Sequence, residues 1–421
     1  MTSKYRIVVL LVTMACLSFQ PCGAADLFSI NAVTVDSLPP VALTVGDSSF
    51  PDLISSAIKA QDQFAVFGNR ASTSVLNYAG VQNAMRVTVN ATGTQADFAV
   101  PIIGYQRVFT GPNRDAIEDQ IETFLKNDGA DVYRRFLEAI NRNSLVAVSD
   151  GNPNSTTART ADTIFRDAGF GGTDSVLESL HAGDIGQRLT LGLMGTLGSY
   201  RAGGFEGDSY SIPLSFGYEF NPRVSAKFSV PLVYQEVEGS KIYQGGFITN
   251  VPVKVIGDGA SGGSASPWRW EVTPTVGLAA GGSADYAAGS MMMVGALTSM
   301  LSYDFGSFKL TMGNHVSVLE GITMDVGGYD VGGDVSQQIV KNGLKVSVPF
   351  LEKWVAELYA ICTNFLQDAS VQDYYTVGAQ VGYRLFGGSA EDSGVVIVGI
   401  VGDLGNGYDS FEFKLGTGFT F

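Results

Sequence analysis

His315-Val316-Ser317 sets an imidazole and a hydroxyl two residues apart, which on an extended strand puts both on one face. A base beside a hydroxyl is the elementary arrangement of nucleophilic catalysis, provided that the pair faces its substrate. The run Asp325-Val326-Gly327-Gly328-Tyr329-Asp330-Val331-Gly332-Gly333-Asp334 could gather carboxylates around Ca²⁺. Its spacing matches no Ca²⁺ loop, and it reads as a flexible surface loop. His181 and His315 are the only histidines, and Cys16, Cys22 and Cys362 the only cysteines, so metal chemistry is poorly served. The expectation is no catalytic, cofactor or metal site.

The elements that carry these residues decide where they point. Along the run from Phe308 to Val318, the apolar side chains Phe308, Leu310, Met312, Val316 and Val318 alternate with Lys309, His315 and Ser317. The chain ends on the same alternation: Phe411, Phe413, Leu415, Phe419 and Phe421 share one face, and Glu412, Lys414, Gly416, Gly418 and Thr420 the other. A strand with hydrocarbon on one side and a wet lumen on the other has this pattern. It recurs from Arg188 onward, for example in Tyr210, Ile212, Leu214, Phe216, Tyr218 and Phe220 against Ser209, Ser211, Ser215 and Glu219. The expected fold is mainly β: a C-terminal transmembrane antiparallel barrel of about 12 strands, with 10 or 14 also allowed, behind a small α+β domain.

Parity sends Arg188, Arg223, Lys227, Lys254, Arg269, Lys309, Lys345, Arg384 and Lys414 inward, against Glu219, Glu271, Asp304, Glu357 and Glu412. A net basic lumen would hold an acidic plug or favour anionic solutes. A short helix from Asp174 to about Gly183, carrying Asp174, Glu178 and the nearby Asp184, is the expected plug. If Phe421 marks the periplasmic end, the connections Phe220–Arg223, Phe305–Ser307 and Phe350–Lys353, read as the tightest in the chain, fall on that side.

Lys4 and Arg6 precede an apolar run from Ile7 to Phe19, then Pro21, Gly23, Ala24 and Ala25, as in a cleaved secretory signal over residues 1–24. Without it the net charge moves from −15 to −17, which argues against a nucleic-acid partner, and Cys362 alone remains, so no disulfide framework is expected. No later run is long enough for a membrane-spanning helix. The 52 glycines, 17 tyrosines and 25 phenylalanines suit many strands with tight turns and aromatic girdles. Residues 25–172 read as the α+β domain. It has helices from Pro51 and from Asn113, a third from Asp131, a hairpin over Ala84–Asn90 and Gln95–Ile102, and a strand at Tyr105–Thr110. Gly151-Asn152-Pro153-Asn154-Ser155 reads as a turn. Residues 173–186 form the linker or plug, and 187–421 the barrel.

Lys414, Gly416, Phe419 and Phe421 stand at a spacing that resembles the C-terminal insertion signal of bacterial outer-membrane β-barrels. The resemblance implies outer-membrane lipid and the barrel-assembly machinery as partners. The His315/Ser317 step resembles the catalytic pair of outer-membrane lipid hydrolases, in which both residues must face lipid. Here both are expected in the lumen, so no enzyme is expected. Residues 174–421 resemble the translocator end of autotransporters, which implies presentation of the N-terminal region at the surface. That region departs from the family in lacking the repeated short strands of a β-helical passenger. The alternative of a different class is a solute channel, anion-preferring, with a periplasmic accessory domain.

Overall fold

A computed structural model describes residues 26–36, 39–59, 70–126, 129–172, 188–257, 266–322, 324–326, 329–331, 335–351, 353–386 and 393–421. The signal and the helix expected at 174–183, with Asp174, Glu178 and Asp184, lie outside the described residues.

The N-terminal region is α+β. β1 (Phe28–Thr34), β2 (Ala42–Asp47), β3 (Ser72–Tyr78), β4 (Val81–Val89), β5 (Gln95–Val100) and β6 (Tyr105–Thr110) form one antiparallel sheet in the order β2-β1-β3-β4-β5-β6. The hairpin and third strand read from the sequence are β4 to β6; β1 to β3 were not anticipated. Helices α1 (Phe50–Lys59), α2 (Arg114–Lys126) and α3 (Ala130–Asn143) follow the apolar periodicity. Asn113 Oδ1 accepts from the Ala116 amide at 2.9 Å, satisfying one of the open donors at the start of α2.

The remaining strand segments close a ring. They are β7 (Arg188–Ala202), β8 (Phe205–Ser211), β9 (Leu214–Asn221), β10 (Val224–Val230), β11 (Leu232–Val237), β12 (Ser240–Asn250), β13 (Val253–Ile256), β14 (Trp268–Ser283), β15 (Ala288–Asp304) and β16 (Lys309–Gly321). A two-stranded ribbon of β17 (Met324–Val326) and β18 (Tyr329–Val331) intervenes. Then come β19 (Ser336–Leu351), β20 (Trp354–Phe365), β21 (Asp373–Phe386), β22 (Ser393–Gly405) and β23 (Tyr408–Thr420).

The ring has 15 segments, which make up twelve passes across the wall, against about 12 strands expected. The surplus has a physical cause: Pro213, Pro231 and Pro252 lack the amide hydrogen that a ladder needs, so three passes across the wall are each cut in two. β23 pairs with β7 from Tyr408↔Ala202 to Thr420↔Thr190, and Leu189 and Phe421 exchange backbone hydrogen bonds of 3.1 and 2.9 Å. No open edge is left at that seam.

Side chains alternate as the parity requires. Leu193, Leu197, Phe216, Leu358, Phe413 and Leu415 are exposed on the outside, whereas Thr196, Ser209, Thr298, Lys345, Glu357 and Glu412 are buried inside. Around the rim at Phe421, Trp268, Tyr303, Phe305, Phe308, Phe350, Trp354, Tyr383, Phe386 and Phe419 form aromatic contacts with centroids 4.5–6.4 Å apart. Toward the opposite rim, Tyr234 contacts Tyr210 and Tyr243 at 5.9 and 5.4 Å. Two aromatic belts bounding an apolar band mark the two interfaces of a bilayer. Replacing Leu214 or Phe216 by Arg should therefore cost about 2–4 kcal/mol near the midplane, and Ser215→Arg, on the inner parity, distinctly less. Denaturant titration in lipid checks this; equal costs on both parities would remove β9 from the lipid-facing wall.

Turn tightness does not separate the rims, contrary to the expectation. The rim opposite Phe421 has hairpins as tight as Asn221–Val224, at 202–205, 237–240 and 405–408. Gly203 and Gly204 have φ of +62° and +93°, and Glu238 and Gly239 +47° and +87°. Positive φ at both central residues is what a two-residue turn between twisted strands requires. The N-terminal region lies over this rim, where Ser240 Oγ donates to Ser48 O. Phe28 meets Tyr286 at 5.3 Å between centroids, the Tyr78 hydroxyl donates to the Tyr286 carbonyl, and the Phe50 amide donates to Asp285 O at 2.7 Å. Ser370 Oγ, in the 365–373 connection, donates to Ser144 O at 2.8 Å and to Gly151 O at 2.6 Å.

Candidate functional site: the occupied lumen

From the covered mouth the chain turns into the barrel. Asn152 Nδ2 donates to Ala147 O at 2.8 Å, Asn152 Oδ1 accepts from the Asn154 amide at 2.9 Å, and Ser155 caps the next helix by accepting from the Ala158 amide. The segment 151–155 is a turn, as read, but a buried one. The helix that follows, α4 (Thr156–Asp167), has nine buried residues, among them Thr156, Thr157, Arg159, Thr160 and Thr163. So polar a helix is buried only where the wall supplies partners.

The wall supplies them level by level. Near the mouth, the side-chain amides of Gln235 and Gln244 each donate to Asn154 O at 2.8 Å. Arg159 Nη1 lies 2.6 Å from Glu412 Oε1, while its Nη2 donates to Asn154 Oδ1 at 2.5 Å and to Ser209 Oγ at 3.2 Å. Lys341 pairs with Asp162 and donates to Thr363 Oγ1 at 2.9 Å and Tyr374 Oη at 3.3 Å. Below, Phe165 and Phe170 stack at 4.6 Å and 17°. They rest on Gly313 and Gly343, where a Cβ would run into the Phe170 ring. Past the end of α4, Lys227 Nζ donates to Asp167 O at 3.1 Å and Lys345 Nζ to Gly169 O at 2.6 Å. Lysines at these last carbonyls complement the negative end of the helix dipole.

The expected basic wall is only partly a wall. Lys227, Lys345 and Lys414 point inward and are engaged, Lys414 Nζ lying 3.1 Å from Tyr359 Oη. Lys254 lies 3.7 Å from Glu219, and Arg269 3.9 Å from Glu271. Lys309 and Arg384 are half-buried on the inner parity, whereas Arg223 is exposed in the Asn221–Val224 turn rather than on the wall. Only the backbone of Arg188 is described.

Two residues that matter most were not anticipated. Lys341 was missed because parity is mixed around it: Ile339 shares its inner face with Gln337 and Lys341, and Gln338 and Asn342 share the outer face with Val340. Arg159 was missed because nothing in a short threonine-rich helix announces a partner 253 residues away. The assembly-signal residues lie where parity puts them: Lys414 and Gly416 on the inner side of β23, Phe419 and Phe421 on the outer rim. His315 and Ser317 face the lumen and are buried. His315 Nδ1 is 2.8 Å from Thr298 Oγ1, and Ser317 Oγ donates to Ile339 O at 3.5 Å, so the two do not form a base–nucleophile pair.

A ring closed by its first and last passes, apolar outside and polar around an inner helix, decides the fold. The chain folds as an outer-membrane β-barrel. No helix among the described residues is long and apolar enough to cross a membrane. No protein-family model matches the chain and no curated protein matches it. Among solved structures, the barrel is similar to the translocator domain of autotransporter NalP from Neisseria meningitidis, at 14% identity over 62% of this chain and 96% of that one, with a TM-score of 0.42. The transport unit of the autotransporter AIDA-I from Escherichia coli matches at 10% identity over 58% and 94%, TM-score 0.36. The KdgM porin matches at 9% over 55% and 99%, TM-score 0.31.

Proposed function

We propose that the barrel presents its own N-terminal region at the cell surface, with α4 as the tether through the pore. The observation that supports this is the course of the chain. Residues 26–150 cover one mouth, α4 runs down the lumen, and the described chain resumes at Arg188, whose strand begins beside Phe421 at the other mouth. Taking Phe421 as the end engaged by the assembly machinery puts that mouth in the periplasm and residues 26–150 outside. An open channel for solutes is the weaker reading, because the cross-section is occupied by the Arg159, Lys341 and Phe165/Phe170 contacts. The His315/Ser317 arrangement supports no hydrolase.

Protease added to intact cells tests the reading. Cleavage within residues 26–150 with the outer membrane sealed is expected, leaving a barrel that carries its tether. Full protection until the membrane is ruptured would reverse the orientation and put the domain in the periplasm.

A further inference from the structure

Two amide side chains interrupt the lipid-facing band. Asn314 on β16 and Asn342 on β19 are exposed on the outer parity and stand directly opposite one another in the ladder. The pair below them on the same face is Met312↔Leu344, and the pair above is Val316↔Val340. The amides are thus enclosed by hydrocarbon-facing neighbours instead of lying at a rim. Several other polar groups on the outer face find partners within the chain. Ser299, next to Asn314 in the ladder, accepts from Trp270 Nε1 at 3.0 Å, Asn364 donates to Cys362 Sγ at 3.4 Å, and Thr417 donates to Val395 O at 3.0 Å. Among the described residues, neither the Asn314 nor the Asn342 side chain has a hydrogen bond. Lipid tails offer none, so each carries an uncompensated desolvation cost.

We propose that the face formed by β16 and β19 is a lateral interface with a second copy of this chain in the membrane, joined through Asn314 and Asn342. The partner follows from the chemistry of the pair. An amide donates and accepts, so two amides side by side are complementary to the same two amides. Every copy in one bilayer has the same orientation and depth, set by the aromatic belts. A two-fold axis along the membrane normal therefore brings each amide level with its counterpart. The flanking pairs Met312/Leu344 and Val316/Val340 supply apolar contact above and below, and buried amide contacts in apolar surroundings specify register as well as association. The interface is independent of which side residues 26–150 occupy.

The test is cross-linking of the full chain in native membranes. In a Cys362→Ser background, Asn314→Cys should form a disulfide-linked dimer on mild oxidation, and Leu193→Cys, lipid-facing on the first pass, should not. The double variant Asn314→Leu/Asn342→Leu should remain a folded, heat-modifiable barrel but dissociate about ten-fold more readily in detergent mass measurements. A barrel that is monomeric at every protein-to-lipid ratio and unlinked at position 314 overturns the proposal. So does equal cross-linking at positions 193 and 314, or a cross-link at 314 to a different protein.

Discussion

Arg159→Ala is expected to destabilise the folded barrel by about 3–5 kcal/mol, the cost of leaving a buried carboxylate without its counter-charge. Arg159 and Glu412 are both buried, 2.6 Å apart, so removing the guanidinium takes away the charge that compensates Glu412. The same guanidinium reaches Ser209 on the second pass, while Glu412 belongs to the last. It therefore braces the two strands on either side of β7, at the seam where the ring closes. Loss of the compact, heat-modifiable species at lower temperature reads the effect. The double variant Arg159→Met/Glu412→Gln separates charge imbalance from lost packing, and should recover much of the stability because both members of the pair are removed together. A single variant as stable as the parent would mean that water reaches Glu412 and that the helix is loosely held.

Removing α4 should convert a nearly closed barrel into a conducting one. In planar bilayers the full chain is expected to give small or intermittent conductance. A chain beginning at Gln187, once shown to fold by heat-modifiability, should give a larger, steady pore. Lys227, Lys341 and Lys345 would then lose the acceptors that the inner segment supplies, Lys341 keeping Thr363 and Tyr374 and Lys345 keeping Glu357 on the wall, and the added lumenal positive charge favours anions over cations. Phe165 and Phe170 would leave the glycine seats at Gly313 and Gly343 empty, adding cross-section at the level of Asp162 and below. Identical conductance with and without residues 26–186 would mean that the helix does not obstruct ions, and would favour the channel reading.

Much of the wall was legible because an extended strand has a side-chain period of two and the two environments differ sharply in polarity. The closing strand Phe411 to Phe421 is the clearest case. The start of β19 is the converse: Gln338 and Asn342 put polar groups on the lipid side, so the alternation fails just where the lateral contact is inferred. The lumenal helix Thr156–Asp167 was not legible, because its character depends on wall residues brought close only by closure of the ring. The acidic helix expected at Asp174–Gly183 lies outside the described residues. A short helix that buries threonines and an arginine beside a few apolar residues signals burial only when its partners are known, and here they lie as far along the chain as Glu412.

A ring threaded by its own chain restricts the order in which the parts can form. The sheet of six strands and its helices rest on the mouth through Phe28, Tyr78 and Phe50, and are far wider than a passage that one helix fills. If the chain arrives from the side of Phe421, those residues cannot cross as a folded unit after β23 has joined β7. Either they pass unfolded, one segment at a time, or the ring closes around a chain already in transit. In both cases the Phe28–Tyr78–Tyr286 cluster assembles last. On that course its formation acts as a ratchet, since folding over the mouth opposes return through the pore.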